Sequence, residues 1–107
     1  MNYHKVPSTL QMEAADCGAA SLKMLLDDLN YEYTLEELRN IICVGRDGSS
    51  LRDIINGGLK IGFKIEPIRG NYKDPQFNDV PLLMFWNRNH FVVYEGKINN
   101  KFVINDP

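Results

Sequence analysis

Apolar residues in the N-terminal half of the chain recur at helical spacing in three segments. In the first segment, which follows Asp16 as the expected N-cap and ends at Asn30, they fall at i, i+3, i+4 and i+7. The second and third segments each open with a capping box, Thr34 with Glu37 and Ser50 with Asp53. The pattern therefore predicts three helices, whose apolar stripes are candidates for the core: Leu22, Leu25, Leu26 and Leu29; Leu35, Leu38, Ile41 and Ile42; Leu51, Ile54, Ile55 and Leu59.

The pattern changes after Gly62, which is placed to end the third helix. Alternation over residues 63–68 predicts a short strand, at a sheet edge because it contains Pro67. The nearly continuous apolar run at 80–86 predicts a strand buried on both faces. Residues 90–95 and 101–105 predict an antiparallel hairpin. Helices followed by strands indicate an α+β fold, with N-terminal helices packed on a C-terminal antiparallel sheet in one domain over residues 1–107.

Composition narrows the class of protein. The 107 residues are 44% hydrophobic and 24% charged, which is typical of a soluble globular domain. A net charge of −2 offers no basic surface for nucleic acid, so no nucleic-acid partner is expected. No apolar run reaches the roughly 18 residues of a membrane span, and the first residues do not form a signal peptide. Cys17 and Cys43 are accordingly expected to be free thiols in a cytoplasmic protein.

Cys17 is the most informative polar position, because it lies in the first turn of the first predicted helix. Unpaired N–H groups and the helix dipole favour a thiolate there, and the thiolate is the nucleophilic form of cysteine. The alternative is a small buried core residue. A cysteine nucleophile needs a base and a group that orients the base. If the last two strands pair, His90 and Asp106 lie at the same end of the sheet, as such a pair requires; a sheet histidine and a turn aspartate are the alternatives.

Gln11 is a candidate oxyanion donor. Acyl transfer through a thioester passes through a tetrahedral oxyanion, which is stabilised by N–H donors that already point at it. The backbone N–H of Cys17 at the helix start is one such donor, and a side-chain amide just upstream is a second. An exposed glutamine without a role is the alternative.

These residues match a known pattern. The blocks Gln11 to Ala20 (QMEAADCGAA), Asn89 to Val93 (NHFVV) and Asn105-Asp106-Pro107 resemble, in order and over nearly the whole chain, the C39 family of papain-like cysteine peptidases. These are the N-terminal domains of peptidase-containing ABC transporters that process bacteriocin and lanthipeptide precursors. Three further blocks resemble the branch that handles nitrile-hydratase-like or Nif11-like leaders: LQMEA at 10–14, RDG at 46–48 and FWN at 85–87.

The resemblance implies a role for each candidate residue. Cys17 is the expected nucleophile, His90 the base and then the acid, Asp106 the orienter of His90, and Gln11 the oxyanion donor. The family cuts after a Gly-Gly or Gly-Ala motif at the end of a leader peptide, and it binds the leader as an amphipathic helix. Trp86 and Phe91 are candidate walls of a narrow channel before the scissile bond, although core packing is the favoured interpretation of both.

The resemblance also sets expectations about context. The expected partners are the transmembrane and nucleotide-binding domains of a transporter at the cytoplasmic face of the bacterial membrane. ATP and Mg²⁺ are expected only in that nucleotide-binding domain, and no cofactor in this one. Ser21 stands where many family members carry a second cysteine. Family domains continue past Pro107, so we expect a fragment of a larger transporter in which Asp106 is held poorly.

Other functions remain open at this point. A thiol hydrolase that acts on a small amide would share the same candidate residues, and only substrate tests exclude it. Some relatives have lost the nucleophile and only bind a leader peptide; the presence of Cys17 and His90 argues against this non-catalytic binding module. A zinc site built from Cys17, Cys43, His4 and His90 lacks the closely spaced ligand pairs typical of such sites, and no metal is expected. A Cys17–Cys43 disulfide is not expected in the cytoplasm.

Overall fold

A computed structural model of the chain describes residues 3–11, 13–42, 44–46, 48–70, 75–86 and 90–107, and of Ala14, Gln76 and Trp86 only the backbone. Within these residues, helices precede strands, and the predicted α+β class is confirmed. The helices are α1 (Cys17–Asp28), α2 (Leu35–Ile41) and α3 (Leu51–Lys60), with single 3₁₀ turns at Ala14–Asp16 and Pro75–Asn78. The strands are β1 (Leu82–Trp86), β2 (His90–Ile98) and β3 (Lys101–Asn105).

Both predicted capping boxes are present. At the start of α2, Glu37 N–H donates to Thr34 Oγ1 and Thr34 N–H donates to Glu37 Oε1, each at 3.0 Å. Ser50 and Asp53 repeat this arrangement at the start of α3, at 2.9 and 3.1 Å. The hydrogen bonds from the Thr34 and Ser50 backbones hold the pKa values of Glu37 and Asp53 below their ordinary range. Thus two of the three helix starts follow directly from local sequence.

The buried face of α1 is wider than its predicted leucine stripe. Leu22 and Leu26 are buried as expected, but Leu29 is 56% exposed because the helix ends at Asp28 and Asn30 turns the chain with φ 65°. Met24, outside the stripe, is fully buried beside Val6 and Val93. The prediction for Leu29 was wrong because α1 ends before it. The burial of Met24 was missed because α1 is covered from two sides, which a single stripe does not describe.

The predicted stripe of α2 packs into the core, whereas that of α3 does so only in part. In α2, Leu38 and Ile42 are buried in the main core, with Leu35 and Ile41 packed against it. In α3, Ile54 is fully buried, whereas Leu51 and Leu59 are exposed and were wrongly predicted to be core. The Gly57–Gly58 pair permits close contact: a Cβ atom on Gly57 would lie 2.5 Å from Ile42 Cγ2, and one on Gly58 would lie 2.5 Å from Ile65 Cδ1.

The sheet has the order β1-β2-β3, and both strand pairs are antiparallel. The predicted hairpin of β2 and β3 is confirmed. It turns at Asn99 and Asn100, whose φ values of 52° and 64° are typical of a type I′ turn. β3 pairs with β2 only as far as Asn105 opposite Val93, so the first three residues of β2 extend beyond the end of β3.

Two strand predictions were wrong. The segment 63–68 forms no strand; its Ile65 instead packs against α3 at Gly58. The apolar run that starts at Val80 becomes strand only from Leu82, and β1 lies at an edge of the sheet with Phe85 48% exposed, not buried on both faces. Apolar residues of both segments line a surface groove.

The N-terminal arm, residues 3–11, runs beside the sheet. Tyr3 forms a bridge with Gly96, and His4 N–H donates to Glu95 O at 2.7 Å. The His4 side chain contacts Asp28 at the end of α1, with 2.8 Å between Nε2 and Oδ1. The arm therefore holds α1 and β2 together, although its sequence carries no periodic pattern. Over the part of the chain that the structure describes, no helix has the length and apolarity to cross a membrane.

Candidate active site

Cys17 is the first residue of α1 and is buried against the start of β2. Its side chain is attached to that strand because Phe91 N–H donates to Cys17 Sγ at 3.4 Å. One helical turn later, the fully buried Ser21 donates to Phe91 O at 3.0 Å. Phe91 lies beyond the end of β3, so two side chains of α1 satisfy backbone groups that a third strand would otherwise pair. This contact places Cys17 next to the residue that follows His90.

His90 and Asp106 are brought together by the hairpin, as the sequence predicts. His90 is the first residue of β2 and Asp106 follows the last residue of β3. His90 Nε2 lies 2.6 Å from Asp106 Oδ1, a short distance typical of a charge-assisted hydrogen bond. This contact occupies Nε2 and leaves Nδ1 as the ring nitrogen available to exchange a proton with another group. Asp106 is largely exposed, so its neighbours in the chain must hold it.

Gln11 lies at the end of the N-terminal arm and is tied to the other end of the chain. Its backbone N–H donates to Pro107 O at 3.2 Å. The side chain is half-buried, and its Oε1 is buried without a hydrogen-bond partner among the described residues. A buried amide oxygen without a partner costs about 1–3 kcal/mol. An unsatisfied polar group of this kind is common at functional sites, where a ligand completes its bonding.

Asp16, directly before the nucleophile candidate, was predicted as a helix cap and has a different role. It occupies the N-cap position, but its side chain makes no cap hydrogen bond. Instead Oδ2 accepts from Glu13 N–H at 3.1 Å, and Arg39 Nε of α2 lies 2.8 Å from Oδ1 as an ion pair without hydrogen-bond alignment. Asp16 is fully buried, so Arg39 compensates a charge that would otherwise be costly. No local sequence signal indicates this pair.

Gly18 allows the chain before α3 to approach the turn at Cys17. A Cβ atom at this position would lie 2.6 Å from Ser49 Oγ and 3.2 Å from Ile54 Cδ1. Gly48, with φ 94°, makes the turn that brings Ser49 there. The Gly18 position is therefore closed to larger residues by packing.

Of the remaining candidate residues, the structure describes Phe91 in full, Trp86 only in its backbone, and Cys43 not at all. Phe91 is 2% exposed and belongs to the main core, with its ring 4.7 Å from that of Phe85. Trp86 pairs in register with His90, but its side chain lies outside what the structure describes. Cys43, and with it the disulfide and zinc questions, also lies outside the described residues. Among the residues that are described, no group of three or more His, Cys, Asp or Glu side chains could hold a metal ion.

An apolar groove of about 610 Å³ lies on the same side of β1 as the Phe85 and Phe91 rings. Three of its lining residues are exposed apolar side chains: Leu51, Ile68 and Phe85. Its charged lining residues are Glu66, Arg69 and Asp79. The sequence pattern does not indicate this groove, because exposed and buried apolar residues give the same pattern.

Comparison with protein families gives one match that spans residues 5–107, to the model described as the peptidase C39 family. The chain belongs to the peptidase C39 family. This confirms the family resemblance and, with it, the papain-like fold. The match covers residues 5–11 of the arm, the turn at Cys17 and the hairpin that carries His90 and Asp106.

Curated C39 relatives are parts of much longer proteins. The chain is 26% identical over 103 residues to the colicin V secretion/processing ATP-binding protein CvaB of Escherichia coli, and 31% identical over 94 residues to the transport/processing ATP-binding protein ComA of Streptococcus pneumoniae (strain ATCC BAA-255 / R6). These matches cover 96% and 88% of this chain. The chain spans only 15% and 13% of the length of those relatives.

Two solved C39 structures share the fold. A double glycine motif protease from an AMS/PCAT transporter, in complex with its leader peptide, superimposes with a TM-score of 0.86 at 35% identity, over 99% of this chain and 76% of that one. The peptidase domain of Streptococcus ComA, a bifunctional ABC transporter of a quorum-sensing pathway, gives a TM-score of 0.78 at 25% identity, over 99% and 80%.

The first prediction concerns the contact that fixes Cys17 to β2. In Ser21→Ala, the buried Phe91 carbonyl loses its donor, so we expect unfolding in urea to show a loss of about 1–3 kcal/mol. Ser21→Cys, which keeps a weak S–H donor of similar size, is the control and should lose less. Equal stability of Ser21→Ala and the wild type would show that this hydrogen bond does not hold α1.

Proposed function

We propose that this domain is a cysteine endopeptidase that removes the leader from ribosomally made precursor peptides of the bacteriocin or lanthipeptide kind. In this proposal it cuts after a Gly-Gly or Gly-Ala motif. The observation that carries it is the attachment of Cys17 Sγ to the Phe91 amide, directly beside a histidine that contacts Asp106 at 2.6 Å, in a chain of the C39 family. A double glycine motif protease among its structural relatives supports the substrate class.

The reaction proceeds in two halves that use His90 twice. In the first, His90 Nδ1 takes the proton of Cys17 Sγ, and the thiolate attacks the carbonyl carbon of the last leader residue. The C–N bond breaks, His90 returns the proton to the leaving amine, and a thioester remains on Cys17. In the second half, His90 Nδ1 takes a proton from water and the hydroxide attacks the thioester carbon. The C–S bond breaks, and His90 returns the proton to Cys17 Sγ as the leader acid leaves. Asp106 stabilises the imidazolium and holds the ring orientation.

Two N–H donors stabilise the oxyanion in this scheme. The backbone N–H of Cys17 is at the start of α1, where intrahelical partners are absent. The side-chain amide of Gln11 is the second donor. Donors of this type act only when negative charge develops, so they accelerate the chemical step more than they strengthen substrate binding.

We also propose that residues 1–107 form the C39-type peptidase domain of a transporter at the cytoplasmic face of a bacterial membrane. The names of the curated relatives, which combine processing with ATP binding, support this context. Transmembrane and nucleotide-binding domains are then its partners within the same protein. ATP and Mg²⁺ belong to the nucleotide-binding domain, and the peptidase domain itself uses no cofactor in this proposal.

The leader peptide binds, in our proposal, as an amphipathic helix in the groove beside β1. The apolar lining residues Leu51, Ile68 and Phe85 supply a surface for the apolar face of such a helix. Phe91, the residue after His90, also belongs to this lining. The solved complex of a structural relative with its leader peptide supports this occupant. The branch with nitrile-hydratase-like or Nif11-like leaders stays a prediction.

The second prediction tests the reaction. Incubated with a panel of double-glycine leader peptides that includes nitrile-hydratase-like and Nif11-like sequences, the wild-type chain should give one cut after the Gly-Gly or Gly-Ala pair in mass spectrometry. Cys17→Ala should give none, because the nucleophile is absent. Cleavage by Cys17→Ala would contradict the mechanism. Leader binding by a folded wild-type chain that cuts no peptide would favour a non-catalytic binding module.

The third prediction separates the role of Gln11 from substrate binding. If its amide stabilises the oxyanion, Gln11→Ala should lower kcat about 10²–10³-fold and leave KM nearly unchanged. Steady-state kinetics on the fastest peptide of the panel measures both constants. Gln11→Glu is the matched control of similar size that lacks the N–H donor, and it should be as slow as Gln11→Ala. A change confined to KM would assign Gln11 to peptide binding instead.

The fourth prediction concerns the groove. Ile68→Ser removes an exposed apolar side chain from the lining, so the Kd of a fluorescent leader peptide should rise about 10-fold, the order expected for losing part of a buried isoleucine contact. Binding is measured in the Cys17→Ala background to prevent turnover. Leu59→Ser is the matched control, since Leu59 is also exposed but does not line the groove. Equal Kd values for the two variants would place the leader elsewhere.

A further inference from the structure

A buried carboxylate lies where the N-terminal arm crosses β2. Glu95 is 4% exposed, and its Oε2 accepts from Val6 N–H at 2.8 Å. Two residues earlier in the arm, His4 N–H pairs with the Glu95 backbone carbonyl. At His4 the arm thus pairs with the backbone of β2, as a strand would. At Val6 it binds the Glu95 side chain instead. A hydrogen bond to a charged group is stronger than one between neutral groups, by roughly a factor of two.

Asn105, the last residue of β3, is the second member of this network. Its Nδ2 lies 3.3 Å from Glu95 Oε2, 3.3 Å from Val6 O and 3.2 Å from Ser8 Oγ. Ser8 Oγ also lies 3.4 Å from Asn105 Oδ1. The amide thus joins the sheet to the arm and uses both its donors and its acceptor. An aspartate at this position would have no donor and would face the Glu95 carboxylate, so the network requires an amide.

Asn105 connects this network to the candidate catalytic residues, because Asp106 is its neighbour in the chain. Asp106 follows it directly and is 62% exposed in its side chain, with His90 as its hydrogen-bond partner. On the other side, Pro107 O accepts from Gln11 N–H of the same arm. The arm therefore holds the residue before Asp106 and the residue after it. Core packing does not hold an exposed side chain such as Asp106, so its position depends on these two ties.

We propose that Asn105, held by Glu95 and the arm, is a positioning residue for the catalytic centre that acts through Asp106. This rests on the proposed peptidase function. Asn105 does not touch the peptide; it fixes the backbone from which Asp106 reaches His90 Nε2. A displacement of about 1 Å in a catalytic group can cost on the order of 10²-fold in rate. The loss of Asn105 should accordingly slow the chemical step and leave leader binding unchanged.

The experiment is a double-mutant cycle in the 107-residue chain, with the peptide that the wild type cleaves fastest. Asn105→Ala should lower kcat about 10- to 100-fold with KM unchanged within about twofold, because the groove is intact. In an Asp106→Asn background, the same substitution should lower kcat by less than about threefold, since residues that act through one another are not additive. Lys101→Ala, an exposed change in the same strand, is the control and should match the wild type.

The outcomes distinguish this inference from the function on which it rests. An equal loss of kcat in both backgrounds, or a loss confined to KM, overturns the positioning role while cleavage by the wild type leaves the peptidase function standing. A wild type that cuts no peptide overturns both. If circular dichroism shows Asn105→Ala to be unfolded, Glu95→Gln provides the cycle. Glu95→Gln keeps the side-chain volume and an acceptor for Val6 N–H. It should lower kcat by less than Asn105→Ala does, and this loss should again nearly vanish in the Asp106→Asn background.

Discussion

The attachment of α1 to the first residues of β2 is the contact on which the rest of the candidate site depends. Beyond the end of β3, the backbone N–H and C=O of Phe91 have no strand to pair with, and Cys17 and Ser21 bind them from one face of the helix. Buried backbone groups must be paired, so this solution fixes both the height and the rotation of α1 on the sheet. One of the two pairing groups is the candidate nucleophile. The requirement of folding and the requirement of catalysis are therefore met by the same few atoms.

Charged groups support the segment between the arm and α1 from two sides. Asp16 and Arg39 hold the turn directly before Cys17 against α2, and Glu95 holds the arm that ends at Gln11 against the sheet. Both carboxylates are almost fully buried, which is unfavourable unless each finds partners. These contacts hold a segment with little regular structure in a defined path. Such a path is what an oxyanion donor on this segment needs, because its position relative to the nucleophile must be set before substrate arrives.

What the sequence predicted well was local or periodic. The capping boxes at Thr34 and Ser50, the hairpin turn at Asn99–Asn100 and the meeting of His90 with Asp106 follow from short-range rules of hydrogen bonding and strand pairing. The errors concern the environment of apolar residues: Leu51 and Phe85 were predicted to be core but line a groove, and periodicity does not distinguish these two surroundings. The ties of Asp16 to Arg39 and of Asn105 to the arm were missed, because they join residues far apart in sequence and leave no periodic signal.

The separation of the joined residues also bears on how the protein is made. The bond between Phe91 and Cys17 spans 74 positions, and those between Asn105 and the arm span 97 and 99. During translation at roughly 5–20 residues per second, the helices leave the ribosome before their sheet partners have been synthesised. Until β2 and β3 are synthesised, the buried face of α1 and the backbone N–H donors of the arm therefore lack their partners. In a nascent chain, Cys17 therefore precedes His90 and Asp106 by seconds, and the candidate site is complete only after β3 has emerged.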